Sequence, residues 1–101
     1  MRKSDLINDI SERTGIPKVD VIMIVETLFK EIKKSVVAGE NVYFRGFGSF
    51  ISKKRASKIG RDIQKNTAVV IPEHYIPAFR PAAEFSLDVK NKNLSDTETS
   101  L

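Results

Sequence analysis

The chain has 101 residues, of which 41% are hydrophobic, so it is long enough for one small domain. The absence of cysteine and the presence of a single histidine exclude disulfide frameworks, thiolate metal sites, cysteine nucleophiles and multi-histidine metal centres, and predict no metal or cofactor. No segment approaches the roughly 18 apolar residues of a membrane helix. We therefore expect a cytoplasmic protein with no membrane partner.

The distribution of charge is more informative than the formal net charge of +4. Residues 1–44 carry seven basic and seven acidic side chains, whereas residues 45–65 carry seven basic side chains and one acidic, a net +6. A basic block of this kind favours a polyanion-binding surface, because each Lys or Arg placed on a phosphate releases a condensed counterion. The alternative is an ordinary solvated basic loop.

The first elements in chain order are predicted to be two helices. Ser4 is the expected N-cap of a helix near residues 4–13, and Gly15 is its expected end. A second helix is predicted with Pro17 in its first turn and Gly39 as its end. Its many β-branched residues lower helix propensity, so packing must stabilise the helix. The alternative for residues 19–25 is a strand.

The second predicted helix leaves no polar face over residues 21–25, which read Val-Ile-Met-Ile-Val. Such a helix must be covered from several sides. A chain of this length that also projects an arm has little material left for that purpose. We therefore predict a dimer, with a partner subunit that is either identical or a paralogue.

Strands are predicted next, over residues 42–44 and 46–51, with a tight turn at the glycines. Phe44, Phe47 and Phe50 recur at every third residue, which fits neither a simple strand nor a helix. We interpret these three rings as core packing and not as a platform for stacking bases.

Beyond the hairpin, residues 52–75 predict a two-stranded β-arm that projects into solvent, with a turn near residues 62–66. Asn66 tolerates a left-handed backbone and is expected to close that turn. Ile63 lies among polar residues at the tip. It is a candidate wedge between base pairs, because apolar side chains carried into the minor groove can unstack a step; the alternative is an ordinary exposed apolar residue.

The sequence resembles one known family, the bacterial histone-like HU and integration host factor proteins. The resemblance covers about residues 2–90. It depends on three motifs in a fixed order: Gly46-Phe47-Gly48-Ser49-Phe50, then Arg55, Lys58 and Arg61 with Gly60 between them, then Ile76-Pro77-Ala78-Phe79-Arg80-Pro81.

The resemblance implies an α+β fold that forms an intertwined dimer. Each chain would contribute two N-terminal helices, a three-stranded antiparallel sheet with a long two-stranded β-arm, and a short C-terminal helix. Residues 1–90 would form this single domain, and the polar tail, residues 91–101, is expected to be disordered.

The implied function is that of a nucleoid-associated architectural protein, which binds the minor groove of double-stranded DNA with low sequence specificity and bends it. Bent, nicked or flexible DNA would be preferred. The expected DNA-binding residues are Arg45, Gly46, Gly48, Lys53, Lys54, Arg55, Lys58, Gly60, Arg61, Ile63, Lys65 and Arg80.

The tip departs from the family pattern, which is Arg-Asn-Pro-x-Thr-Gly. This chain has Arg61-Asp62-Ile63-Gln64-Lys65-Asn66, so isoleucine stands where the family has its intercalating proline. Isoleucine is apolar and bulky, and we expect Ile63 to serve as the wedge.

Several alternative functions differ from this one. A helix-turn-helix regulator would need polar, base-reading residues at the front of the second helix, where Val19, Val21 and Ile22 stand instead. An enzyme would need a catalytic constellation, but His74 has only Glu73 beside it, so no catalytic residue is predicted. Two alternatives remain open: a site-specific DNA-bending subunit like integration host factor, and an RNA-binding or scaffolding module that uses the same arm.

Overall fold

The computed structural model describes the backbone of residues 1–99 and the side chains of residues 1–92. The chain divides into two compact units, Met1–Ser35 and Val36–Leu101, which are described separately below. In chain order the elements are α1 (Lys3–Thr14), α2 (Lys18–Val37), β1 (Val42–Phe44), β2 (Gly48–Arg55), β3 (Lys58–Asp62), β4 (Thr67–Ile71), β5 (His74–Pro81) and α3 (Ala83–Thr99).

The first helix agrees with the sequence prediction except at its N-terminus. It begins one residue before Ser4, which is therefore not the N-cap. Asp5 supplies the capping carboxylate instead, since its Oδ2 accepts a hydrogen bond of 2.8 Å from the backbone N–H of Arg2. Gly15 ends the helix in the left-handed region, with φ of 75°, as predicted.

The second helix is continuous through the β-branched segment, so the alternative of a strand over residues 19–25 is wrong. The carbonyl of Pro17 accepts the first helical hydrogen bonds, from the N–H groups of Asp20 (3.0 Å) and Val21 (3.1 Å). Val21 and Ile32 are both buried. They are eleven residues apart, which is close to three helical turns, so burial selects one face of α2 and offsets its low propensity.

The sheet of the second unit has the strand order β1-β2-β5, with both pairs antiparallel. A three-residue loop joins β1 to β2, closed by a hydrogen bond of 3.0 Å from Phe47 N–H to the Phe44 carbonyl. Gly46 lies in this loop with φ of 77°, a conformation that favours glycine. The predicted hairpin is therefore confirmed.

The three phenylalanines of the hairpin pack together in a ring cluster, although Phe47 remains 48% exposed. Phe44 meets both Phe47 and Phe50 edge to face, with centroid distances of 6.3 and 6.1 Å. Phe79 on β5 lies 5.0 Å from Phe50. Phe85 on α3 lies 5.4 Å from Phe47, which ties the start of the last helix to the sheet.

Gly48 is buried where this cluster meets β5. A Cβ at this position would lie 2.6 Å from the Arg80 carbonyl oxygen and 2.7 Å from the Phe79 ring. Neither the backbone nor a packed ring can easily give way, so only glycine fits. Packing therefore explains this glycine without any contact to DNA.

We expect the substitution Gly48→Ala to destabilise the protein by about 1–3 kcal/mol, because it overpacks this position. Gly60→Ala is the matched control: its Cβ would be 3.2 Å from the mobile Cδ1 end of Ile71. Urea unfolding followed by circular dichroism measures both. Equal midpoints for Gly48→Ala and the unsubstituted protein would contradict the packing role.

The predicted β-arm and its turn are present. Strands β3 and β4 form a separate two-stranded sheet, and residues 63–66 form the turn between them. Asn66 adopts a left-handed conformation with φ of 53°, as expected. Gaps in pairing at residues 56–57 and 72–73 separate this ribbon from β2 and β5.

The C-terminal helix is longer than the short helix expected. Helix α3 continues to Thr99, so the prediction of disorder does not hold for the backbone of residues 91–99. No glycine or proline interrupts the segment from Ala83 to Thr99. A helix already nucleated on the sheet can therefore propagate. The rest of the predicted tail, Ser100 and Leu101, lies outside the described residues.

Candidate nucleic-acid interface

The pairing of β2 with β5 sorts the predicted DNA-binding residues by face. Successive side chains of a strand point to opposite faces, and directly paired residues share a face. Ser49 pairs with Arg80, Lys53 with Ile76 and Arg55 with His74. Lys53, Arg55 and Arg80 therefore lie on one face, while the ring cluster, which contains the paired residues Phe50 and Phe79, lies on the other.

The same alternation continues into the arm. Arg55 pairs with His74, and Lys58 pairs with Ile71. The two pairs are three residues apart on both sides of the ribbon, so neither side has an extra residue in the gap that would change the alternation. Arg61, which pairs with Ala68, is thus on the face of Arg55. We name this surface the basic face; it is defined by Lys53, Arg55, Arg61 and Arg80. All four side chains are exposed.

The basic face holds no acidic residue among the paired positions of β2, β3, β4 and β5, all of which the structure describes. The opposite face is mixed in charge. It carries Lys54, Lys58 and Asp62, and the Lys54 Nζ lies 2.9 Å from Oε1 of Glu73. The paired positions of the basic face therefore carry cations only, whereas those of the opposite face carry charges of both signs.

The tip is held in a defined conformation by its own polar side chains. Asp62 Oδ1 accepts hydrogen bonds from the backbone N–H groups of Gln64 (3.0 Å) and Lys65 (3.3 Å). Across the turn, Arg61 Nη2 donates to Asn66 Oδ1 at 2.9 Å. This Asx-type turn leaves Ile63 at the extremity, where it is 91% exposed.

The remaining predicted residues lie in loops or are glycines, which have no side chain to assign to either face. Arg45 and Gly46 are in the β1–β2 loop, where a Cβ on Gly46 would be 3.3 Å from Glu84 Oε2. Lys65 is in the tip turn and is exposed. Gly60 lies on β3 beneath Ile71, where a Cβ would be 3.2 Å from the flexible Cδ1 end of that side chain.

Two features of this surface were missed at the level of sequence. The first is that Lys53 and Lys54 lie on opposite faces of β2, which strand alternation could have revealed. The second is an exposed apolar pair on the arm, Ile59 and Val70, which are direct partners. Fixing the turn at residues 63–66 would have been enough to pair them.

Within the described part of the chain, no group of three or more His, Asp or Glu side chains is placed to hold a metal ion. No described helix is both long and apolar enough to cross a membrane.

Comparison with known proteins decides the family. The family model described as "Bacterial DNA-binding protein" matches residues 1–90. The chain belongs to this family. A DNA-binding protein HU from Thermotoga maritima is 34% identical over 90 residues, which are 89% of this chain and all of that protein. An integration host factor subunit alpha from Anaeromyxobacter is 36% identical over 97 residues, 95% of this chain and 94% of that one.

Solved structures of the Bacterial DNA-binding protein family share the fold. The cocrystal structure of Anabaena HU with DNA superposes with a TM-score of 0.84 at 29% identity, covering 88% of this chain and 97% of that one. The α+β architecture inferred from the sequence motifs is therefore confirmed.

Proposed function

We propose that this protein is a nucleoid-associated architectural protein that grips the minor groove of double-stranded DNA with its β-arms and bends it. The observation that carries the proposal is the basic face, which ends at an exposed isoleucine. Membership of a family whose relatives are named as DNA-binding proteins supports it. The role is one of binding and deformation and requires no chemical step.

Attachment follows from the spacing of the basic face. A β-strand rises about 3.3 Å per residue, so cations at alternate residues, such as Lys53 and Arg55, are spaced by roughly 6.6 Å. Each of them can therefore neutralise a separate phosphate. Such contacts read no sequence, and the minor groove distinguishes mainly A·T from G·C, so specificity is low.

Bending follows from the tip. A smooth bend of a short site costs on the order of 1–6 kcal/mol. Burying an isoleucine side chain stabilises by about 1.5–3 kcal/mol. Two arms that each place Ile63 between base pairs would offset much of this cost, and flexible or nicked DNA would lower it further. Lys54 and Gly48 are not among the contacts that we propose, because Lys54 pairs with Glu73 and packing requires glycine at position 48.

The proposal includes a dimer, because one chain covers little of its own apolar surface. Only Ile7, Val21 and Ile32 are buried apolar residues among the described side chains. Met23 and Ile24 on α2 remain 62% and 56% exposed. A second copy or a paralogue is the cover we propose. A mass of one chain in sedimentation equilibrium at micromolar concentration would refute it.

A site-specific role is the second candidate, and the likeness to an integration host factor subunit favours it. Competition binding separates the candidates. We expect nicked or gapped duplex to compete better than intact duplex of the same sequence, and intact duplexes of different sequence to compete about equally. Preference for a single sequence would support the site-specific role, and stronger competition by RNA would overturn both.

A further inference from the structure

The two strands of the arm differ sharply in charge. Strand β4, Thr67–Ile71, contains no charged residue, whereas β3, Lys58–Asp62, contains three. The direct cross-strand pair Ile59 and Val70 is 77% and 70% exposed. The arm therefore carries apolar surface in a position where a purely electrostatic ribbon would carry polar side chains.

This apolar pair lies on the basic face and not on the mixed one. Ile59 is two residues from Arg61 and four from Arg55, so strand alternation places all three on one face. On the mixed face the apolar side chains of the arm are less open: Ile71 packs over Gly60 and is only partly exposed, and Val69 is 44% exposed. Ile59 and Val70 thus form the open apolar surface between the cations.

An exposed, paired apolar surface on a thin ribbon invites aggregation unless a partner covers it. The cations on either side, Arg55 and Arg61, indicate the partner, because they favour a polyanion and repel a second basic face. The walls of a DNA groove meet this description, with phosphates at the rim and apolar deoxyribose carbons between them.

We propose that Ile59 and Val70 form an apolar contact with the deoxyribose walls of the minor groove. This inference rests on the proposed function and adds a salt-independent part to the binding. Counterion release depends only on the phosphates neutralised, so burial of this pair raises affinity without steepening the dependence on salt. Affinity should therefore persist at salt concentrations where cations alone would release the DNA.

The test is the double variant Ile59→Thr/Val70→Thr, in which threonine keeps the β-branched shape and the strand preference. Fluorescence anisotropy with an intact duplex gives the association constant over a range of salt. We expect a line parallel to that of the unsubstituted protein but about 10-fold weaker at every salt concentration, as loss of buried apolar area requires. The matched control, Val69→Thr, changes the same strand on the mixed face and should not shift the line.

The outcomes separate this inference from the proposed function. If the unsubstituted protein does not bind duplex DNA at low salt, the proposed function fails. If it binds and the double variant follows the same line, or differs only in slope, the apolar contact is overturned. Sedimentation provides a further check: species larger than a dimer that disappear in the double variant would assign the pair to protein association instead. The single variant Val70→Thr is the check against a folding defect in the double variant. Its line should lie between those of the unsubstituted protein and the double variant.

Discussion

Replacing Ile63 with Asp is expected to abolish most of the DNA bend while leaving the protein folded. The side chain is 91% exposed, so its removal costs the free protein little. A carboxylate at the tip cannot enter the base stack and is repelled by phosphates. A duplex labelled with a dye at each end should show less energy transfer at saturation with the variant than with the unsubstituted protein.

The truncation Ile63→Ala isolates the wedge from the added charge. It removes most of the apolar group and should weaken binding to an intact duplex by roughly 10- to 100-fold for each arm that inserts, from about 1.5–3 kcal/mol of burial. The effect should be smaller on a nicked duplex, where less unstacking energy has to be supplied.

Gln64→Ala is the matched control for this experiment. Gln64 is the next residue in the turn, and its tie to Asp62 uses its backbone N–H, which alanine retains. The turn should therefore persist, with both affinity and bend unchanged. An unaltered bend with Ile63→Ala would mean that Ile63 does not act as a wedge, whatever the result with Gln64→Ala.

The second large effect is expected from the basic face. Arg55→Gln/Arg61→Gln removes two of its four cations from each chain. If each of these cations neutralises one phosphate, a dimer loses four phosphate contacts, and the slope of log K against log salt should become shallower by about 3.6. At low salt the affinity should fall by several orders of magnitude, because the slope reflects the electrostatic part of binding.

The adjacent residue Lys54 provides the control, since it lies on the mixed face and pairs with Glu73. The double variant Lys54→Gln/Glu73→Gln removes the ion pair and keeps the net charge. We expect its slope to equal that of the unsubstituted protein. A loss of slope as large as that of the arginine variant would mean that the two faces contact DNA equally, and that the assignment by face is wrong.

The helices and the arm could be predicted from sequence because strong local signals mark their ends. Gly15 and Asn66 are residue types that tolerate a left-handed backbone, and both adopt one. The N-cap of the first helix was predicted at Ser4 because serine favours that position, but the helix begins at Lys3 and the Asp5 carboxylate accepts from the Arg2 backbone N–H. The helix at the C-terminus was underestimated because a polar composition argues against a core but does not forbid a helix anchored by Phe85.

The site was predicted as a set of residues but not as a surface. Charge and family resemblance identified the cations, yet neither separates Lys53 from Lys54, which are neighbours in sequence and opposite in space. Strand alternation alone puts these two lysines on opposite faces, but which of them shares a face with Arg80 depends on the pairing register of β2 with β5, which is set by long-range contacts. The need for glycine at position 48 likewise depends on a ring that is 31 residues away, Phe79.

The action that we propose for this protein is to hold DNA in a bent shape between paired arms. Its most direct test is the end-to-end distance of a doubly labelled, intact duplex at stoichiometric saturation and low salt, with occupancy checked by a mobility shift. We predict a large shortening on binding that reverses when salt releases the protein. Full occupancy with an unchanged end-to-end distance would contradict the account.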